Sequence, residues 1–313
     1  MAEPRTAQHT LIMNAAEGQL QFMLVRRQED AAAPEILCSQ VWHAPSQGAE
    51  LLTPALQAAL HQLALSPTNI NRIACVRGPG SFTGLRLVIA TAAGLARAVG
   101  ALQAGIDYLP LLAASAASRI FPAVKPPSSI WVLTHARKQL VHMQGFSLMR
   151  EAADEKESPW LGEDDRLLPL TGILVCSPEQ AVTIIQEKTE KYEDVGCPVL
   201  LGSGLTKNRQ AIAGLFGLPS GAVTRKNATE PAGAEKNAAG AVLLPACYDQ
   251  PDMEALLHAA EKADYSPDDV PPKYARPSDA EENLENIASS LGLDPSKARE
   301  KLARLTGNTV IDG

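Results

Sequence analysis

The stretch Gly78-Pro79-Gly80-Ser81-Phe82-Thr83-Gly84-Leu85-Arg86 joins a short β-prone run, Ile70–Val76, to a strongly periodic helix. Leu85, Val88, Ile89, Ala92, Leu95, Ala96 and Val99 recur at intervals of three and four, and Gly100 stands where a C-terminal cap belongs. Glycine at such a junction permits positive φ, and the free N–H groups of a helix N-terminus can receive an anion. That makes Gly78, Gly80 and Gly84 candidate cofactor-binding residues. The spacing is Gly-x-Gly-x-x-x-Gly, however: Thr83 stands where the dinucleotide fingerprint has its third glycine, and no Gly-Lys-Ser/Thr follows for a P-loop. The competing explanation is a tight turn with Ser81 or Thr83 as N-cap.

The helix beginning near residue 83 is narrow, because Ala90, Ala92, Ala93, Gly94, Ala96 and Ala98 let another helix come close. Such a surface is either an internal seam or a protein interface. Upstream, Leu52, Leu56, Ala59, Leu60 and Leu63 mark a helix over 49–65 that Ser66-Pro67 stops. Before it, Thr10–Met13 and Gln19–Arg27 flank a turn-like Asn14–Gly18 as a β-hairpin, and Ile36–Trp42 supplies a third antiparallel strand. A strand at Gln103–Tyr108, a helix at Pro110–Ile120 and a linker marked by Pro122, Pro126 and Pro127 close this half.

The second half starts near Ser128 with another hairpin, Ile130–Leu133 and Leu140–Phe146. Strands follow at Ile173–Cys176 and Pro198–Leu201, each with a helix after it, then helices around Ala238–Ala246 and Met253–Lys262. A repeated hairpin-first unit differs from a Rossmann domain, which begins strand, glycine loop, helix. A generic two-domain α+β protein is the competing architecture. The expected divisions are residues 1–125, 126–281 and a helical extension at 282–313, where Asp294-Pro295 starts a helix and Ala298, Leu302 and Leu305 share one face. That stripe either packs on its own chain or meets a partner.

Composition narrows the function classes. With 313 residues, 45% apolar and 20% charged, the chain can bury a large core, and with 4% aromatics that core rests on small aliphatic faces. A net charge of −7 argues against a broad cationic surface for nucleic acid. Five widely spaced cysteines without a Cys-x-x-Cys pair indicate no disulfide framework and a reducing compartment. Residues 1–9 hold no signal-peptide pattern and no apolar run approaches the roughly 20 residues of a membrane span, so a cytoplasmic protein without membrane contact is expected.

Gly78–Arg86, continuing through Ala90, Thr91 and Gly94-Leu95-Ala96, resembles the signature segment of the TsaB/YeaZ family. Glu50-Leu51-Leu52 followed by Pro54 is similar to that family's first long helix, and Tyr274–Glu281 to its closing segment. The resemblance implies a two-lobed actin-like (ASKHA, ribonuclease H-like) α/β fold, each lobe a mixed sheet flanked by helices. It implies a role in forming threonylcarbamoyladenosine on tRNA beside the catalytic paralogue TsaD, with a TsaE-like ATPase as a further partner and tRNA met only through the complex. The helices over 49–65 and 83–98 would then pair with TsaD or a second copy, through Leu52, Leu56, Thr83, Arg86, Leu87, Ala90 and Gly94.

Departures from the family pattern point to a chain without catalytic residues of its own. Asn14 stands where relatives carry Asp, His135-Ala136-Arg137 where they carry Asp-Ala-Arg, and Gly202-Ser203-Gly204 where they carry Gly-Asp-Gly. Actin-like phosphotransfer needs carboxylates at these turns to hold Mg²⁺, which prefers oxygen ligands. No intrinsic cofactor is therefore expected, with ATP or ADP admitted only at a TsaD interface. The alternative is an ATP-dependent enzyme with its own site between the lobes. His9, His43, His61, His135, His142 and His258 contain no i, i+4 pair, so no metal is expected, and no Gly-x-Ser-x-Gly supports a serine hydrolase. Tyr274 and Arg276 could touch a partner or nucleotide, or simply tie down the chain end.

Overall fold

The computed structural model describes residues 7–29, 31–43, 47–120, 128–137, 139–150, 165–191, 197–217, 235–236, 241–275, 284–290, 292, 294, 296–297 and 301. Its first sheet runs β3-β2-β1-β4-β5, formed by β1 (Gln8–Asn14), β2 (Leu20–Arg27), β3 (Glu35–Trp42), β4 (Ile70–Gly78) and β5 (Leu102–Asp107). The first three strands are antiparallel, and β4 lies parallel to β1 and to β5. The second sheet holds β6 (Ser128–Arg137), β7 (Leu140–Arg150), β8 (Asp165–Pro169), β9 (Leu174–Cys176), β10 (Cys197–Leu201), β11 (Glu235–Lys236) and β12 (Val242–Leu243). Its main order is β11-β12-β10-β6-β7-β8, with β9 also on β7.

Here too a hairpin and a third antiparallel strand, β6, β7 and β8, are followed by β10 parallel to β6 and β12 parallel to β10. The path β8-β7-β6-β10-β12 repeats β3-β2-β1-β4-β5, so the chain has the two-lobed actin-like α/β fold. Burial of both faces explains why the strands read as apolar runs. Leu11, Met13, Phe22, Ile73 and Cys75 face outward beneath α1 (Gly48–Gln62) and α2 (Phe82–Val99), while Ile12, Met23, Ala74 and Val76 face inward. The inward side packs on α3 (Tyr108–Ile120) and α7 (Met253–Glu261), which meet Ile130, Val132 and Val199 of the second sheet. Trp131, Leu133 and Leu200 point the other way, with α4 (Pro178–Lys191) and α6 (Arg209–Leu215). The result is a layered stack of helix, sheet, helix, sheet, helix.

Several elements differ from expectation. Residues 241–244 are not helical: Val242 and Leu243 pair with Val199 and Leu200, because the apolar run Ala241–Leu244 can be buried on both sides as a strand. Strand β8 has no clear alternation and follows a long charged stretch, so only pairing with β7 defines it. Helix α1 ends at Gln62, short of 65, and Ala64 adopts φ +53°. Gly100, at φ +75°, caps α2 as its sequence indicates. The Pro122–Pro127 linker lies outside the described residues.

One compact unit covers Met1–Lys273 and a second Tyr274–Gly313, so the break comes earlier than residue 281. Lys273 ends the larger unit because it is doubly tied: its N–H donates to Arg77 O at 2.7 Å and its Nζ bonds Asp107 Oδ2 at 2.7 Å. The smaller unit contains α8 (Leu284–Ser290), and Asp294 accepts from the Ser296 N–H at 2.9 Å. Arg276, Ala298, Leu302 and Leu305 lie outside the described residues.

Candidate functional site

The glycine junction faces its own chain. A Cβ at Gly80 would strike the Ala16 carbonyl oxygen and one at Gly84 that of Ala15, so both glycines exist to let the start of α2 press against the β1–β2 turn. Gly78, at φ +117°, turns the end of β4 where a Cβ would meet Lys273 O at 2.6 Å. Two of the loop's donors are engaged as well: the Ser81 N–H reaches Ala16 O at 2.5 Å and the Gly84 N–H reaches Ser81 Oγ at 3.3 Å. At Ser81 and Gly84, where a phosphate cradle would present open N–H groups, a carbonyl and a hydroxyl of the chain itself take them.

That same turn is the near wall of the cleft between the lobes. Asn14 is fully buried; its Oδ1 accepts from the Ala16 N–H at 3.0 Å and its Nδ2 donates to Gln21 Oε1 at 2.7 Å. Gln21 in turn donates to Pro251 O at 3.1 Å. Across the cleft, Ser203 Oγ accepts from the His135 N–H at 2.9 Å and donates to Glu17 Oε1 at 2.5 Å. Each of the three residues that the family resemblance singles out is thus engaged in structure. Asn14 braces one turn, His135 lends its backbone, and Ser203 bridges the lobes.

Two acids that the sequence did not single out, Glu17 and Asp249, meet at this bridge. Burial pushes Glu17 from its ordinary 4.5 to about 7, partly offset by the Ser203 hydrogen bond and reinforced by nearby Asp249. Burial likewise raises Asp249 to about 6, against hydrogen bonds from the Thr206 side chain and the Gly202 backbone. Glu17 Oε2, Asp249 Oδ1 and His135 Nδ1 are cut off from solvent without a hydrogen-bond partner among the described residues. Burial, then Lys207, holds the His135 imidazole below its ordinary pKa. Buried Tyr108, whose phenol is raised well above its usual value chiefly by burial, lies with Oη 3.3 Å from Asp249 O and 3.4 Å from Gln250 Oε1. Glu17 sits in the turn already flagged by Asn14–Gly18 and was findable there. Asp249, more than two hundred residues away, was not.

The predicted docking residues separate into two sets. Leu52 and Leu56, at 0% and 7% exposure, are core residues that pack with Val88, Ala92 and Ala96, so they cannot be presented to a partner. This corrects the expectation for both, and the reason is the 3.6-residue period: the apolar stripe of α1 faces the sheet, leaving Thr53, Pro54, Gln57, Ala58 and His61 outside. On α2, Thr83, Arg86, Ala90 and Gly94 are exposed and Leu87 is half-buried. Phe82, 41% exposed, carries the Arg86 guanidinium over its ring at 3.8 Å. Helix α2 is 18 residues long with mean hydropathy 1.4, yet only 22% of its residues are buried, and by length and composition it is apolar enough to cross a membrane. Among the described residues no three His, Cys, Asp or Glu side chains gather as a metal-ligand set.

Residues 43–203, just over half of the chain, match the family model described as TsaD: tRNA N6-adenosine threonylcarbamoyltransferase. No curated protein sequence matches. Among solved structures, an uncharacterized protein with similarity to peptidase YEAZ from Pseudomonas aeruginosa superimposes with a TM-score of 0.56 at 18% identity. That match covers 86% of this chain and 100% of the other. YeaZ from Pseudomonas aeruginosa gives a TM-score of 0.43 at 18% identity, over 64% of this chain and 78% of its own. The fold likeness rests on the first of these.

Proposed function

The chain belongs to the TsaD family of tRNA N6-adenosine threonylcarbamoyltransferases, and from that membership we propose that it is a non-catalytic, TsaB/YeaZ-like partner that docks a TsaD-like paralogue through α2. The observation that carries this is the stripe of exposed Thr83, Arg86, Ala90 and Gly94 with half-buried Leu87, a face of α2 that its own fold leaves open while Leu85, Val88, Ala92 and Ala96 pack on the sheet. Small side chains there let a second helix approach closely, and burial of apolar surface drives association. The spent positions Asn14, His135 and Ser203 support a supporting role, with the chemistry, any ATP or ADP, and the tRNA held by the complex. A TsaE-like ATPase is the further partner, a second copy of the chain competes for the same face, and the compartment is the cytoplasm.

Purified chain mixed with its cognate TsaD should form a complex, and Ala90→Arg or Gly94→Arg should weaken it at least about tenfold without lowering Tm, since both sites are exposed. Unchanged association in both variants would remove α2 from the interface.

A second reading, an ATP-dependent enzyme of the interlobe cleft, is favoured by one observation: Glu17 and Asp249 bring two carboxylates with unfilled oxygens to the place where an actin-like enzyme acts. Calorimetry with Mg-ATP on the isolated chain decides between them. Stoichiometric micromolar binding abolished in Glu17→Gln supports the enzyme, and no heat supports the partner.

A further inference from the structure

Between the inner face of the first sheet and α7 lies a hollow of about 350 Å³, away from the Glu17–Ser203 bridge. Its apolar walls are Ile12, Val25 and Leu257, and Thr10 and Arg72, paired in register across β1 and β4, add polar groups. Volume and lining of this kind suit a small molecule with an apolar body and one fixed polar end.

The charges in the hollow define that end. Arg27 is already spent on Glu261 at 2.8 Å. Arg72 has no carboxylate partner among the described residues; its guanidinium stacks over the Tyr265 ring at 4.7 Å, and its Nε is buried without a hydrogen-bond partner. The Tyr265 hydroxyl donates to Ala260 O at 2.9 Å, and among the described residues no hydrogen bond joins it to Arg72. Among the described residues one positive charge therefore remains without an ion-pair partner, held over an aromatic face with its buried Nε lacking an acceptor. A buried Nε–H left without an acceptor is costly, and a carboxylate matches the fork of donors to which it belongs.

We propose that this hollow binds a small amphipathic monoanion, a carboxylate that pairs with Arg72 while its apolar body lies against Ile12, Val25 and Leu257. The site is independent of the α2 docking face and of any chemistry between the lobes.

Titration of the full chain with 4-fluorophenylacetate, followed by ¹⁹F NMR, tests it. Saturable one-to-one binding is expected, with the neutral 4-fluorophenylacetamide at least about tenfold weaker because it lacks the charge. Arg72→Met should weaken the acid to the level of the amide while Tm stays within a few degrees. Glu261→Gln releases Arg27 as a second cation at the rim and should tighten the acid several-fold. Equal affinity for acid and amide, no saturation into the millimolar range, or an acid affinity indifferent to Glu261→Gln would each overturn the proposal. The acid–amide difference and Glu261→Gln decide the matter even if Arg72→Met does not fold.

Discussion

After β4 the chain turns through Gly78 at φ +117° into the 18-residue α2; after β10 it turns through Gly202 at φ +108° into α5 (Ser203–Lys207), five residues long. Both junctions press a helix start against the hairpin of their own lobe. A Cβ on Gly84 would strike the Ala15 carbonyl, and one on Gly204 would come within 2.9 Å of Leu133 O. The following serine is used differently in each. Ser81 Oγ caps its own helix, whereas Ser203 Oγ leaves its lobe and donates to Glu17. Equivalent backbone geometry has thus yielded a long helix with an uncovered face in one lobe and a short one that ties the lobes together in the other.

The largest effect expected from disturbing this comparison is at the close contact. Gly84→Val should cost at least about 3 kcal/mol in urea denaturation, because a backbone carbonyl cannot move aside as a side chain does. Gly94→Val, ten residues along the same helix with nothing within 4 Å of its Cβ, should change stability by less than about 0.5 kcal/mol. Similar costs at the two sites would mean that α2 does not lean on the β1–β2 turn.

Next in size is the pH dependence of the bridge. Glu17 binds its proton more tightly folded than unfolded, so between pH 4.5 and about 7 the folded state holds more protons and stability falls as pH rises. At about 1.4 kcal/mol per unit, the loss approaches about 3 kcal/mol by pH 8. Glu17→Gln should flatten this part of the profile, equalling the wild type near pH 4 and exceeding it at pH 8. Asp249, raised to about 6, leaves a smaller slope of the same sign in the variant. Parallel profiles for the two proteins would place Glu17 in solvent.

The smallest change is expected from Ser203→Ala, which removes one donor to Glu17 and one acceptor for the His135 N–H. A loss of about 1 kcal/mol is expected at neutral pH. The Glu17 carboxyl should also titrate higher, since the Ser203 hydrogen bond opposes the upward push of burial; ¹³C NMR of the labelled carboxyl reads this directly. A Glu17 titration that does not respond would show that the bridge does not form in solution.

Much of the fold was legible because the local signals were strong. The apolar runs of β1, β2 and β4, the helical stripe of α2 with Ser81 and Gly100 at its ends, and the recurrence of a hairpin after Ser128 all appear as patterns in neighbouring residues. The strand at Val242–Leu243 did not, since a short alanine-rich apolar run suits helix or strand equally until β10 offers it a partner. Of the residues expected to dock a partner, Thr83, Arg86, Ala90 and Gly94 are exposed and Leu87 partly so, while Leu52 and Leu56 are core. A stripe of leucines shows that a helix has an apolar face, and the nearest apolar face available to α1 is its own sheet.

The sequence by itself determined the elements, their duplicated order and the family signature at Gly78–Arg86, because those depend on the chemistry of residues close together in the chain. Only the tertiary structure decided what the glycines are for and how Asn14, His135 and Ser203 are used. Gly80 and Gly84 make room for the carbonyls of Ala16 and Ala15, and Glu17 and Asp249 come together across the cleft. Those facts depend on contacts between distant segments, and it is packing between segments that determines which backbone groups collide and which carboxylates lose their water.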